Sequence, residues 1–456
     1  MANIGSKSVK KKAKNKTAGR PRESKKGPKE TKKKQEQQKK DKLARPNLVI
    51  GLTGPFGSGC GEMRKVLESL NFHAFKISDD IRGELNRTGE LIEKGKQNWR
   101  KVLQDHGNKK RKEDQSYWIN KVVGRINEAN IGNDKVVIDG FRNFQEVQKI
   151  REIYPIFFLV AVCAEKNERW QRVKKDYDGY NEFERDDRRD RSEDFDWGQN
   201  VQKCVDDADY VYNNNENFFV YPQGEEEPNL DKIGRTLEKQ AEEFVGLMQE
   251  VEGCRGPNPE EVQMAAAYAQ SNSSKCRKRH VGAVITIKRN GQEFPISMGF
   301  NENPPRVPTC YQLQVCCKDE DMAAKLKARG RSICCPLCGK RHTDLSEPWL
   351  CECGENLKEC LYPNRNMELC TAIHAEERAI LSLGGRSSMD GRLYATTFPC
   401  FQCARLIIDA GICEVVYVEA YPTKETAEFL EKNGVRVKPF IGFTARSFFR
   451  VFKKID

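Results

Sequence analysis

Two short stretches, His374-Ala-Glu376 and Pro399-Cys400-Phe-Gln-Cys403, put an imidazole, a carboxyl and two thiols at the disposal of one site. One imidazole and two thiolates are the three-ligand set of a catalytic zinc ion, with the fourth position left open for water. Zinc in such a site makes that water acidic near neutral pH, so that it becomes a nucleophile. A C-x-x-C pair at the start of a helix places both sulfurs on one face, and the helix N-terminus favours their charge. Glu376 lies two residues from His374, where a further ligand would close the site. It is therefore read as the catalytic residue, carrying protons between the water and the group attacked. A structural zinc site or ordinary core cysteines would require neither the carboxyl nor the proline.

The elements that must hold these residues follow from the flanking text. CTAIHAEERAILSL (370–383) reads as a helix opening at His374. RLYATTFPCFQCARLIIDAGICEVVYVEA (392–420) reads as strand, helix and strand, with the cysteines at the first junction. Upstream, PEEVQMAAAYAQSNS reads as a helix, and CRKRHVGAVITIK with EFPISMGFNENPP as a strand pair. An H-x-E followed by P-C-x-x-C, in this setting, is the signature of zinc nucleobase deaminases.

Over about residues 256–440 these elements resemble the dCMP-type branch of the cytidine deaminase superfamily. The resemblance implies a central mixed sheet with helices on both faces, and hydrolytic loss of ammonia from cytosine at C4. It also implies that Asn301, in GFNENPP, contacts the sugar. Tyr421, after the last of these strands, is read as a substrate contact, an ordinary strand-end aromatic being the alternative. The branch is commonly oligomeric, so a homo-oligomer is expected.

Between 304 and 370 lies an insertion holding CCPLCGKRHTDLSEPWLCECGENL. Cys335 and Cys338 form one pair, and Cys351 and Cys353 a tighter one beyond a 12-residue loop. Two such pairs fit a small structural zinc ribbon, which would order a segment with little apolar core. Cys334, Cys316, Cys317 or His342 could substitute as ligands; reduced free thiols are the alternative.

The first half has a different rhythm. GLTGPFGSGCGEM (51–63) runs from a buried strand through glycines into an amphipathic helix. VVIDGF, IFFLVAVCA and ADYVYNN read as three further strands, and 230–251 as a long helix. Strands alternating with helices predict a parallel α/β sheet. These stretches resemble the P-loop nucleoside-monophosphate-kinase family over roughly 47–250. The loop, however, has Cys60 where that family carries Lys and Gly61 where it carries Ser or Thr. No ammonium meets the outer phosphates and no hydroxyl holds Mg²⁺. The amides of Gly54, Gly57, Ser58, Gly59, Cys60 and Gly61 can still cradle phosphate. The reading is a regulatory site for ATP or another nucleotide, with a fold that binds nothing as the alternative. EFERDDRRDRSEDFDW (182–197) reads as a solvated mobile lid or linker face without chemistry.

The 456 residues carry a net +12, but the excess is local. Residues 1–45 hold 18 Lys or Arg against 4 Asp or Glu, a net +14, leaving −2 for the rest. That tail cannot bury a core and reads as disordered, either a solubilising segment or a salt-sensitive contact for RNA. The longest apolar run, 154–164, is too short to span a bilayer, and no signal core is seen at the N-terminus. The 18 cysteines then read as thiols and metal ligands of a reducing, cytoplasmic compartment. Three segments are expected: the tail 1–45, a degenerate kinase-like domain 46–252 and a deaminase domain 253–456.

That pairing resembles the bacterial anti-phage dCTP deaminases. The resemblance implies conversion of dCTP, and of dCMP, to the uracil nucleotides, depletion of the pool a phage needs, and restraint by a partner RNA. Two other readings are a polynucleotide deaminase acting on tRNA or single-stranded DNA, and a non-catalytic nucleotide-binding scaffold.

Overall fold

The computed structural model describes residues 46–91, 93, 99–193, 195–215, 237–251, 255–314, 333–334, 339–342, 351–352, 370–418 and 424–452. The chain divides into units 1–44 and 45–456, and all that follows concerns the second. The basic tail lies outside the described residues, as do Cys335, Cys338, Cys353 and Tyr421.

The first half is built on β1 (Leu48–Thr53), β2 (Phe72–Lys76), β3 (Lys135–Phe141), β4 (Phe157–Cys163) and β5 (Tyr210–Asn213). All pair in parallel, in the order β5-β4-β1-β3-β2. LVIGLT and FFLVAVC are buried along their whole length. Strands covered by helices on both faces need continuous apolar runs, and these supply them. β2 was not among the expected strands. Its sequence, FHAFK, is half-exposed at the sheet edge and carries no such run.

The second half contains β6 (Gly282–Arg289), β7 (Gln292–Phe300), the short pair β8 (Ile333–Cys334) and β9 (Arg341–His342), then β10 (Arg392–Ala395), β11 (Glu414–Tyr417) and β12 (Arg436–Pro439). Its main sheet runs β12-β11-β10-β6-β7. β6 and β7 form a hairpin through Asn290-Gly291, both with positive φ (50° and 78°), as a tight turn between right-twisted strands requires. β10 to β12 are parallel, so the sheet is mixed, as expected. The helix Pro259–Ser271 starts with Asn258 as N-cap, Pro259 in its first turn and Glu261 closing a capping box.

The end of the described chain does not stay with the second sheet. β13 (Gly442–Phe443) pairs antiparallel with β5 and becomes the sixth strand of the first sheet. Thr444 and Ser447 donate to the carbonyls of Ala208 and Asp209, and Arg450 to that of Phe157 at 3.0 Å. A contiguous second domain from 253 onward therefore loses its last segment to the first sheet. One hydrophobic core also runs through both halves, from Val49, Ile138 and Phe157 through Met264 and Ala267 to Tyr394, Val416 and Phe440.

Candidate metal centre

The end of β10, the end of β7 and the start of β6 meet at one edge of the second sheet. Thr396 and Gly282 exchange two hydrogen bonds of 3.0 Å, fixing the chain as it leaves β10 toward Cys400. Glu302 and Ile373 form a two-way backbone bridge, which sets His374 beside the loop after β7. His374 and Cys400 are then the N-cap residues of two helices, Ala375–Leu381 and Phe401–Asp409. The first helix lies so close to β7 that a Cβ on Gly299 would come within 2.3 Å of the Ala375 carbonyl. Any side chain there would lift the helix that carries Glu376.

His374 Nδ1 stands 3.3 Å from Cys403 Sγ and 3.4 Å from Cys400 Sγ, and all three donor atoms fall within 4.8 Å of one another. Tetrahedral zinc with ordinary bond lengths sets nitrogen and sulfur ligands ~3.6 Å apart, so this donor set fits the ion. The two thiols share one hydrogen-bonded system. Bonding from Cys403 and from His374 holds the Cys400 thiol below its ordinary range, and that same bond with burial drives Cys403 up. Glu376 is 3% exposed. Burial pushes its carboxyl up to about 7, His374 opposing and Cys400 adding to the push. A buried carboxyl of that strength can both donate and accept near neutral pH.

Several supports were not read from the sequence. Glu377 accepts from the His374 backbone amide at 3.4 Å, and Arg378 donates to the Glu302 carbonyl at 2.9 Å. The legible signal for the first was a glutamate at the third helical position, the capping-box spacing. Asn301 is buried and lies one residue before the Glu302–Ile373 bridge. Its Oδ1 accepts from Val281 N at 2.7 Å and its Nδ2 donates to Arg279 O at 2.9 Å, so most of its amide is already engaged. In the insertion, Cys351 is buried and its sulfur lies 3.2 Å from His342 Nε2.

The glycine loop 54–61 has the shape its glycines require. Gly54, Gly57 and Gly59 have φ of 156°, 78° and 104°, and a Cβ on Gly54 would strike the Val162 carbonyl at 2.0 Å. Its carbonyls are tied down from outside. Arg142 donates to Gly54 O at 3.0 Å, Arg169 to Phe56 O at 3.1 Å, Arg172 to Gly57 O at 3.3 Å and Asn214 to Ser58 O at 2.8 Å. Ser58 Oγ lies 3.7 Å from Cys60 Sγ, and among the described residues nothing across from Gly61 stands within 4 Å of where a side chain there would begin. Burial, with Asp139 adding, pushes the Cys60 thiol up to about 12, so it stays neutral and replaces no cation.

The charged stretch 182–197 is not a solvated face. On the helix Tyr180–Arg191, Asp186, Asp187 and Asp190 are buried. Asp187 takes both ends of the Arg169 guanidinium, at 2.5 and 3.1 Å, and Asp190 takes Arg142 at 2.5 Å. These acids lie on the buried face, so two of the three arginines that hold the loop, Arg142 and Arg169, are anchored there.

An H-x-E and a C-x-x-C on two helix N-termini against a mixed sheet define the class of zinc nucleobase deaminases. Residues 258–419 match the model described as the cytidine and deoxycytidylate deaminase zinc-binding region. A deoxycytidylate deaminase of Enterobacteria phage T2 is 30% identical over 182 residues, 38% of this chain and 86% of that protein. The chain belongs to the cytidine and deoxycytidylate deaminase family. The deoxycytidylate deaminase of Saccharomyces cerevisiae is 27% identical over 186 residues, 40% of this chain, and the match spans 45% of the yeast protein's length. Among solved structures, shikimate kinase from Acinetobacter baumannii is similar over 47% of this chain and 99% of its own, at 13% identity and a TM-score of 0.27. Among the described residues no helix is long and apolar enough to cross a membrane.

Proposed function

We propose that this chain hydrolyses the 4-amino group of a free deoxycytidine nucleotide, dCTP or dCMP, to give the deoxyuridine nucleotide and ammonia. The observation that carries this reading is the convergence of His374, Cys400 and Cys403 beside the buried Glu376. Zinc held by those three residues would supply the Lewis acid that activates water. Glu376 takes the proton that water gives up, passes one to the ring nitrogen, and delivers one to the leaving amine. The C4–N bond breaks and a C4 carbonyl replaces it. The second amide hydrogen of Asn301 meets the sugar, and Tyr421 is a further substrate contact. A second zinc, structural, is held in the insertion by Cys335, Cys338, Cys351 and Cys353. The 3.2 Å approach of His342 to Cys351 supports His342 as the substitute for one of the other three cysteines.

The first half regulates turnover through nucleotide at its phosphate loop, and the tail 1–45 contacts a restraining RNA. In a phage-infected cell the reaction drains the pool used for replication. The deciding experiment incubates purified, oligomeric protein with dCTP, dCMP, CTP and a cytosine-containing oligonucleotide and follows ammonia. Release from the deoxycytidine nucleotides is expected. Release from the oligonucleotide alone would make it a polynucleotide deaminase, and release from none would leave a scaffold.

A further inference from the structure

Beside the glycine loop, four side chains have buried polar atoms that nothing among the described residues satisfies. Asp186 and Asp190 are 2% and 0% exposed, yet Asp186 Oδ2 and Asp190 Oδ1 have no hydrogen-bond partner. Tyr177 is 8% exposed and its hydroxyl is unpartnered, as is Nε of Arg100. Buried polar atoms are nearly always paired, and a cluster of exceptions marks a place for a polar guest.

These groups surround the loop rather than the zinc site. The Arg142 nitrogen that binds Asp190 Oδ2 at 2.5 Å also donates to Gly54 O at 3.0 Å, so one guanidinium separates Asp190 from the loop. Arg100 lies 3.7 Å from the centre of the Phe56 ring, itself a loop residue, and 5.7 Å from that of Tyr177. Arg142 lies 4.3 Å from the same Phe56 ring. The charges of Asp186 and Asp190 act on both Arg100 and Tyr177.

The free atoms have a definite chemistry. Two carboxylate oxygens accept, while a phenol and a guanidinium nitrogen donate. A guest that presents donors next to acceptors, such as a base edge or a sugar hydroxyl, matches them. The adjoining loop offers helix-opening amides to an anion. With a neutral thiol at Cys60 and no side chain at Gly61, it lacks at those two positions the ammonium and the hydroxyl that serve a metal-bound phosphate.

We infer that Arg100, Tyr177, Asp186 and Asp190 complete, with the phosphate loop, a pocket for a nucleoside phosphate taken without a divalent cation. The carboxylates hold the base or sugar edge and the loop amides hold the phosphate. The inference rests on the reading of the first half as a regulatory nucleotide site, and deepens it by naming what recognises the end remote from phosphate.

The test uses zinc-loaded Glu376→Gln protein, which leaves nucleotide intact. ATP, GTP and dTTP are titrated into it calorimetrically, each with and without Mg²⁺. At least one is expected to bind without Mg²⁺, and its affinity to fall at least about tenfold in Tyr177→Phe and in Asp186→Asn. Tyr177→Phe removes an unpartnered hydroxyl and Asp186→Asn keeps an oxygen for Arg185, which lies 3.4 Å away, so the melting temperature should hold, which separates lost recognition from lost structure. Three outcomes would overturn the inference: no binding of any of the three, binding that requires Mg²⁺, or unchanged affinity in both variants. Cytosine turnover by the unmodified protein is measured in parallel, so a failure of the deaminase reading is seen independently of the calorimetry.

Discussion

Glu376 and His374 are two residues apart, but only the turn from extended N-cap into helix brings both to one centre. Replacing the Glu376 carboxyl by an amide keeps its volume and removes its proton traffic. Glu376→Gln is expected to keep its zinc and lose about 10²- to 10⁴-fold in turnover. Elemental analysis should return two zinc ions per chain in both proteins, one of them from the insertion; ammonia release near the wild-type rate would remove Glu376 from the chemistry. Most of this centre was legible because its ligands lie in two short local motifs. The arginine clamp on the glycine loop 54–61 was not. Arg142, Arg169 and Arg172 are ordinary basic residues in the sequence, and only the fold turns their guanidinium groups onto loop carbonyls.

The helix Tyr180–Arg191 shows how an element can hide its purpose. Its composition is that of a solvated surface, and surface helices usually carry such mixed charges. Its acidic face is buried because each carboxylate there is matched to an arginine: Asp186 to Arg185, Asp187 to Arg169 and Asp190 to Arg142. Burial holds the Asp190 carboxyl up at about 6, from an ordinary 3.8. The folded chain thus binds that proton more tightly than the unfolded chain does. Ionising it costs stability, so stability should fall as pH rises from about 4 to 6, by at most about 3 kcal/mol. Asp190→Asn is expected to remove its share of that slope, read from urea midpoints at three pH values across the window. An unchanged slope would mean that this carboxyl titrates as it does in the unfolded chain.

At the scale of the molecule, the two sheets are joined as one body by β13, by the shared core and by Glu261. This buried carboxylate, the capping residue of helix Pro259–Ser271, accepts from Phe443 N at 3.1 Å and from Arg255 at 2.6 and 3.0 Å. Deleting residues 442–456 removes the fully buried Phe443 and Ser447 along with the sixth strand. Calorimetry should then show a lower melting temperature and two transitions where the intact chain gives one; an unshifted single transition would show that the segment holds nothing together. The sequence announced both sheets, since buried strands and capped helices are local patterns. It could not announce β13, a Gly-Phe pair whose partner lies some 230 positions earlier and whose pairing no local periodicity encodes. That pairing orders events during synthesis. A ribosome delivers β13 only after every strand of the second sheet, so the nascent first half waits with the β5 edge bare. Bare edges invite pairing with other chains. Production of this protein should therefore be most prone to aggregation in the interval before β13 is made, and most responsive then to chaperones that shield that edge.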